Sequence, residues 1–226
     1  MYVKCVKRML DFTLSLLALI GLSPVILMLT VVGAIKMKGN PFFTQLRPGK
    51  DEKIFKLIKF RSMTCETDEN GKLLPDEVRL TKYGKFLRST SLDELPELIN
   101  ILKGEMSIVG PRPQLVRDMV FMTPEQRRRH SVYPGLTGLA QVNGRNNITW
   151  EQKFSYDLAY IDGGISFYKD VKIILQTVEK VFRRVDTTRE GTESDIDLGD
   201  WLLEQGAVSK EEYASRQAEA KELLGV

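Results

Sequence analysis

The sequence predicts a mixed α/β protein. An apolar, membrane-associated N-terminal helix broken near its middle leads into a mostly helical cytosolic domain with one short β hairpin. Three observations predict this. Residues 12–35 carry no charge. Two β-prone runs flank Pro48-Gly49-Lys50-Asp51. Several later segments read as helices, most clearly Phe167 to Arg184, where Phe167, Val171, Ile174, Leu175, Val178 and Phe182 recur at helical spacing.

As one straight helix, the uncharged segment would reach ~36 Å, enough to cross a hydrocarbon core of ~30 Å. A signal peptide fits poorly, because its apolar region would be about 7–15 residues before a small-residue cleavage site. Pro24 cannot donate to the Ile20 carbonyl, so the helix should bend there, and the Ser23 hydroxyl can satisfy a carbonyl freed by the bend. Lys4, Lys7 and Arg8 precede the segment, and Lys36 and Lys38 follow it. Basic residues mark the cytoplasmic side, so both ends are drawn to the same side as a re-entrant helix–break–helix. A proline-kinked spanning helix meets the same physics, and at this level both stand.

Pro41 to Gln45 and Ile54 to Phe60 read as the hairpin strands. Residues 66–77 read as an acidic exposed loop. Leu80 to Leu87, Pro96 to Leu102 and Thr149 to Ile161 read as helices. Gly110-Pro111-Arg112-Pro113 is a rigid extended break, since each proline fixes its own φ and restrains its predecessor. The Phe167–Arg184 stripe is expected to face the core; a membrane-interface position is the lesser alternative. In the tail, residues 200–206 resemble a short helix ending on Gly206, and Ser209 with Glu212 forms a plausible cap for a helix to Leu224.

Composition narrows the function classes. The chain has 226 residues, two cysteines (Cys5 and Cys65) and one histidine, His130. A disulfide framework is not expected, and no zinc, thioredoxin-like or P-loop motif occurs. Net charge is +3, but residues 187–226 hold 4 basic and 10 acidic side chains, so residues 1–186 carry +9. A basic body suits anionic lipids and phosphates, and a solvated charged surface explains much of it equally well. A nucleic-acid partner is not expected.

The chemistry centres on Ser91-Leu92-Asp93-Glu94-Leu95-Pro96. Ser91 and Glu94 match a capping box, which accounts for the acids without chemistry. Pro96, however, cannot supply the bond to the Leu92 carbonyl, so the helix can begin near Pro96, leaving Asp93 and Glu94 in the preceding turn. One carboxylate can then act as a nucleophile and another hold a divalent ion such as Mg2+. Lys59, Arg61, Arg88, Arg112 and Arg145 are the candidate phosphate-binding cations, Arg112 being fixed between two prolines. The loop 134–145 offers Gln141, Asn143 and Gly144 to a uridine or sugar, although ordinary turn chemistry also explains its glycines.

Taken together, Lys59-Phe60-Arg61-Ser62-Met63, SLDELPELINILKGEMSIVGPRP at 91–113 and PGLTGLAQVNGR at 134–145 resemble the monotopic phosphoglycosyl transferases, the bacterial sugar transferase family. The resemblance covers about residues 1–185 and is nearest to short members consisting of little more than the catalytic domain. It implies a re-entrant membrane helix over 1–38 broken at Ser23 and Pro24, a cytosolic transferase domain over 39–186, and an acidic helical tail over 187–226 outside the pattern. It further implies a bacterial inner-membrane enzyme at the cytoplasmic face. Asp93 attacks a UDP-sugar, Glu94 coordinates Mg2+, and Lys59, Arg88 and Arg112 contact phosphates. The phosphosugar passes to polyprenyl (undecaprenyl) phosphate, and the product goes to downstream glycosyltransferases. A homodimer is left open. Leu139 stands where the family often has an aromatic residue. A membrane-anchored interaction protein with a partner-recruiting acidic tail is the competing class.

Overall fold

A computed structural model describes residues 2–144, 148–183 and 196–225. Arg145 and the 186/187 domain boundary lie outside the described residues. The uncharged segment forms two helices, α1 (Lys7–Gly21) and α2 (Ser23–Lys36), after a π-helical turn at Tyr2–Val6. The two are bent by 65° at their break. Pro24 sits in the first turn of α2, where its missing N–H is least costly. The Ser23 hydroxyl donates to the Ile20 carbonyl at 2.7 Å, the carbonyl that proline deprives of its helical partner. No single helix among the described residues is long and apolar enough to cross a membrane; the bent pair passes that test of length and composition together.

Three polar residues of α1 face inward. Lys7, Asp11 and Ser15 are buried, spaced four apart and therefore on one face. Lys7 lies 2.6 Å from Asp170, which also accepts from the Tyr2 and Tyr160 hydroxyls at 2.7 Å each. Asp11 accepts from the Ser107 hydroxyl at 2.7 Å and the Ile108 amide at 3.0 Å. Met9, Phe12, Leu17 and Ile20 of α1, and Leu27, Met28, Val31 and Ile35 of α2, are exposed.

Strands β1 (Phe42–Pro48) and β2 (Ile54–Phe60) pair antiparallel, from Phe42 opposite Phe60 to Pro48 opposite Ile54. β1 thus runs past the expected end at Gln45, because Leu46 and Arg47 continue the ladder. The reversal falls at Gly49–Lys53, with Asp51 and Glu52 at φ of 54° and 59°. The expected helix from Leu80 begins instead at Lys82 and runs to Thr90. The Thr81 hydroxyl caps it by accepting from the Gly84 amide, and Leu80 is extended opposite Met63.

Strands β3 (Ser107–Val109) and β4 (Gly135–Thr137) pair in parallel. A Cβ on Gly135 would overlap the Gly110 nitrogen, and one on Gly138 the Gly110 carbonyl oxygen. These glycines therefore let two backbone runs touch each other. The Trp150–Asp162 and Phe167–Arg183 helices follow. The latter corrects the expected core-facing stripe in part. Ile174 packs on Val109, Val142 and Tyr160 and Val171 is half-buried, but Phe167, Leu175 and Val178 are exposed, while Asp170 and Ile173 are buried. The periodicity is helical as read, but the face against the protein is the one that pairs with Lys7.

The C-terminal helices, Leu198–Glu204 and Lys210–Leu224, pack on the domain. Leu198 and Ala220 join Val116, Met119, Val120, Phe121, Met122, Trp150 and Phe154 in one buried cluster, with Trp201, Leu202, Val208, Tyr213 and Leu224 against it. The Ser209 hydroxyl accepts from the Glu212 amide at 3.1 Å, as its capping position predicts.

Candidate active site

Ser91 closes the Lys82–Thr90 helix in the left-handed region, at φ 56°. It makes no side-chain cap to the turn that follows, so the capping-box reading of Ser91 and Glu94 does not hold. Leu92–Glu94 form a 3-10 turn, and the next helix runs from Glu97 to Leu102 with Pro96 at its N-cap. Asp93 and Glu94 therefore lie between two helices, in the arrangement that Pro96 favours.

Two other segments bring cations to this turn. In β2 the side chains alternate, and Phe55, Leu57 and Lys59 share a face. Phe55 and Leu57 pack on Leu98 and Ile101 of the Glu97–Leu102 helix, which delivers Lys59 to the acids. The Lys59 Nζ lies 3.2 Å from Glu94 Oε1 and 3.0 Å from Glu97 Oε1. From the Pro111-Arg112-Pro113 loop, Arg112 Nη2 reaches the same Glu94 oxygen at 2.5 Å. Glu94, then Glu97 and Asp93, raise the Arg112 pKa above its ordinary value, against the lowering effect of burial. Asp93 thus shares the electrostatic field of this guanidinium. Arg88 donates to the Ser62 hydroxyl at 3.1 Å from the helix ending beside the acidic turn.

The remaining candidates bond to other groups. The Arg61 guanidinium turns to the Cys65 sulfur at 3.6 Å. Gln141 lies in a short helix, Leu139–Val142, with Asn143 at its C-cap, and they donate to the Leu136 and Leu139 carbonyls at 3.5 and 2.7 Å. The stretch expected to be a loop is thus a strand followed by a helical turn. Gly144 has φ 155°, and a Cβ there would overlap Ile148. Leu139 packs with Val109, Val142, Tyr160 and Ile173, so its side chain serves the core. A cavity of about 330 Å³ is lined by Val3, Lys7, Arg8, Tyr133 and Tyr160, among others, and by none of the carboxylate cluster.

Several supporting residues carry no advance signal. Glu97 is buried beneath Lys59, and burial raises its pKa, with the neighbouring Lys59 opposing. The spacing of Glu94 and Glu97 across Pro96 is the one hint the sequence offers. Asn100 joins hairpin to helix: its Oδ1 accepts from the Ile58 amide at 3.1 Å and its Nδ2 donates to the Lys56 carbonyl at 2.8 Å. Buried Arg129 donates to the Arg112 carbonyl at 2.7 Å while paired with Asp157 at 2.7 Å. Arg47 donates to the Pro113 carbonyl at 3.2 Å; burial, with Arg112 nearby, pushes its pKa down to about 10. The Arg112 loop is held at its carbonyls by two guanidinium groups. His130 is pushed down to about 3 by burial and by Arg129 and Arg127, so it stays neutral at physiological pH.

Among the described residues no group of three or more His, Cys, Asp or Glu side chains is disposed to hold a metal. Magnesium needs no such cage. It takes one or two carboxylates, retains waters and completes its shell with substrate phosphate oxygens. A single carboxylate such as Glu94 meets that requirement.

The arrangement can receive a phosphate. Lys59 and Arg112 converge on one carboxylate oxygen, as they would on a phosphate oxygen, and a second carboxylate sits next in the chain. The family model for bacterial sugar transferases matches residues 2–184. The uncharacterized sugar transferase EpsL of Bacillus subtilis (strain 168) is 51% identical over 175 residues, 77% of this chain and 86% of that protein. A UDP-glucose:undecaprenyl-phosphate glucose-1-phosphate transferase of Klebsiella pneumoniae is 44% identical over 78% of this chain and 40% of its own length. The galactosyl transferase CpsE of Streptococcus agalactiae serotype III (strain NEM316) is 40% identical over 77% of this chain and 42% of its own length. The chain thus spans most of the first relative and less than half of the other two.

Proposed function

Starting from a chain that belongs to the bacterial sugar transferase family and is an enzyme, we propose that it moves a phosphosugar from a UDP-sugar to polyprenyl (undecaprenyl) phosphate. The products are UMP and a polyprenyl-diphospho-sugar, the starting lipid of a bacterial glycoconjugate. The observation that carries this reading is the convergence of Lys59 and Arg112 on Glu94, beside Asp93. The donor chemistry draws on the name of the Klebsiella relative.

The reaction runs in two steps. An Asp93 carboxylate oxygen attacks the β-phosphorus of the UDP-sugar. The bond from that phosphorus to the bridging oxygen breaks, and UMP leaves with the electron pair. The phosphosugar is then held on Asp93 as an acyl phosphate. A phosphate oxygen of the lipid attacks the same phosphorus, and the Asp93 carboxylate is released. Lys59 and Arg112 bind the donor phosphate oxygens in place of Glu94 and disperse the charge that develops on them. Arg88, on the helix that ends beside this turn, is the further phosphate-binding cation. Glu94 would hold Mg2+, which would supply further charge neutralisation on phosphate oxygens.

The same reading places α1 and α2 in the cytoplasmic leaflet of the inner membrane, with their exposed apolar side chains in lipid and both ends on the cytoplasmic side. The test is a panel of UDP-sugars incubated with the membrane-reconstituted chain, Mg2+ and polyprenyl phosphate. UMP release with at least one donor, lost in Asp93→Asn, is the expected result. Release of free sugar phosphate without need of the lipid would point to a phosphodiesterase and overturn the transfer.

A further inference from the structure

The family match ends at residue 184, yet residues 196–225 are built into the domain through a polar tie as well as the apolar cluster. Asp118 is buried, and its two oxygens serve different parts of the chain. Oδ2 accepts from the Leu115 amide at 3.0 Å, two residues beyond Pro113. Oδ1 accepts from the Leu198 amide at 2.9 Å, at the start of the first C-terminal helix. The Asp118 charge also favours the ionised form of Arg47, which donates to the Pro113 carbonyl. Around this tie, the Trp150 indole donates to the Ile196 carbonyl at 3.0 Å, Arg117 pairs with Asp197 at 2.5 Å, and Arg216 donates to the Val120 carbonyl. A buried carboxylate holds its geometry only while its hydrogen bonds are complete. The Leu198 amide completes this one.

We propose that Asp118 is a positioning residue for the transfer, and that the C-terminal segment acts through it, by the Leu198 N–H, to set the loop that carries Arg112. The inference rests on the proposed role of Arg112 at the donor phosphates. Asp118 touches no substrate. It fixes the exit of the loop at Leu115, while Arg129 and Arg47 fix the Arg112 and Pro113 carbonyls. The sequence beyond the family domain would therefore tune the first step of the reaction.

The test uses the full chain in lipid nanodiscs, with the UDP-sugar from the panel that wild type turns over. Asp118→Asn keeps the shape but presents an amide N–H to one of the two backbone donors. It should lower kcat/KM for UMP release by about tenfold, the scale of a hydrogen bond to a charged group. A double-mutant cycle with Arg112→Lys supplies the readout that plain destabilisation would not move. If Asp118 acts through Arg112, the double variant is no slower than Arg112→Lys alone; independent structural damage makes the two losses multiply. Where Asp118→Asn does not fold, Leu198→Pro and Leu198→Ala decide. Position 198 opens its helix and the preceding residue is extended, so proline is tolerated there and removes the N–H, whereas alanine keeps it. Both trim the side chain, so slower UMP release in Leu198→Pro than in Leu198→Ala is expected. Equal rates in that pair, an unchanged Asp118→Asn, or multiplying losses would overturn the inference. A wild type that releases no UMP would instead remove the functional reading beneath it.

Discussion

The two ends of the chain pack in opposite senses. α1 turns Lys7, Asp11 and Ser15 inward and leaves Met9, Phe12, Leu17 and Ile20 outside. The C-terminal helices turn Leu198 and Ala220 inward and leave Glu204, Glu211 and Glu219 outside. The second arrangement is that of a helix in water. The first suits a helix with lipid on its outer side, where apolar groups cost nothing outside and polar groups need partners inside. The difference teaches that composition alone does not identify what anchors a segment. The apolar N-terminal helix adds buried polar contacts to the packing of Ala18 and Leu19, and the acidic tail is held by an apolar cluster as well as by its polar ties.

The largest expected effect comes from removing the end packed as in water. Deleting residues 196–226 strips Leu198 and Ala220 from the cluster and uncovers Phe121 and Trp150. Burying one large apolar side chain is worth roughly 1.5–3 kcal/mol, so the loss should rival the whole stability of a domain. Thermal melts and size-exclusion profiles in detergent should show an unfolded or aggregated chain. A truncated protein that melts within a few degrees of wild type would break the comparison from that side.

The polar anchorage at the other end is tested by Asp170→Asn. It leaves the Lys7 charge buried without its 2.6 Å partner and weakens the acceptor for Tyr2 and Tyr160. Breaking a buried pair on one side costs on the order of 3–5 kcal/mol. The melting temperature should fall sharply, and Lys7→Met in the same chain should restore part of it. No recovery would mean that the pair is not the anchor.

Topology sharpens the lipid half of the comparison. With single cysteines at Tyr2 or Asn40 in a chain lacking Cys5 and Cys65, both positions should be protected from an impermeant reagent in intact spheroplasts. Changing Ser23→Ala with Pro24→Leu restores the helical bond at residue 24 and should shift part of the population toward spanning. Labelling of only one position in the unaltered break would contradict the re-entrant arrangement.

The smallest expected effect is a pH dependence in the tail. Burial and the nearby Asp118 raise Asp197 from the ordinary aspartate value to about 6, despite its pairing with Arg117. An acid with a raised folded pKa binds more protons folded than unfolded between about pH 4 and 6. This group therefore adds stability as pH falls through 6 toward 4 and removes it as pH rises. Asp197→Asn should flatten that part of the pH–stability profile; an unchanged slope would show that Asp197 is solvated.

Much of this was legible in the sequence, for reasons that are local. The break at Ser23-Pro24, the hairpin, the cap at Ser209 and the placement of Asp93 and Glu94 before Pro96 follow from proline geometry, alternation and hydroxyl capping. The family resemblance names Lys59 and Arg112 as phosphate-binding cations and Glu94 as a metal ligand; that the two cations meet on Glu94 is visible only in the fold. What stayed hidden is pairwise and distant in sequence. Nothing in the run Arg127–Arg129 marks Arg129 as the residue that grips the Arg112 carbonyl, and nothing in Val116–Met119 marks Asp118 as the tie to residue 198. The Phe167–Arg183 helix shows the limit from the other side. Its 3–4 spacing identified a helix, but its inward face includes Asp170, paired with Lys7, beside Ile173, a pairing that no pattern within the helix contains.

The central claim is that Asp93 carries the phosphosugar between donor and lipid. The most direct measurement is UMP release from the productive UDP-sugar with Mg2+ and purified, lipid-reconstituted enzyme in the absence of polyprenyl phosphate. The covalent account predicts a burst of about one equivalent of UMP per active site. Asp93→Asn should abolish it, because an amide is a far poorer nucleophile. Arg112→Lys should slow it, because a point charge cannot replace a fork. UMP that appears only once polyprenyl phosphate is added would contradict the account and make Asp93 a general base for direct attack by the lipid.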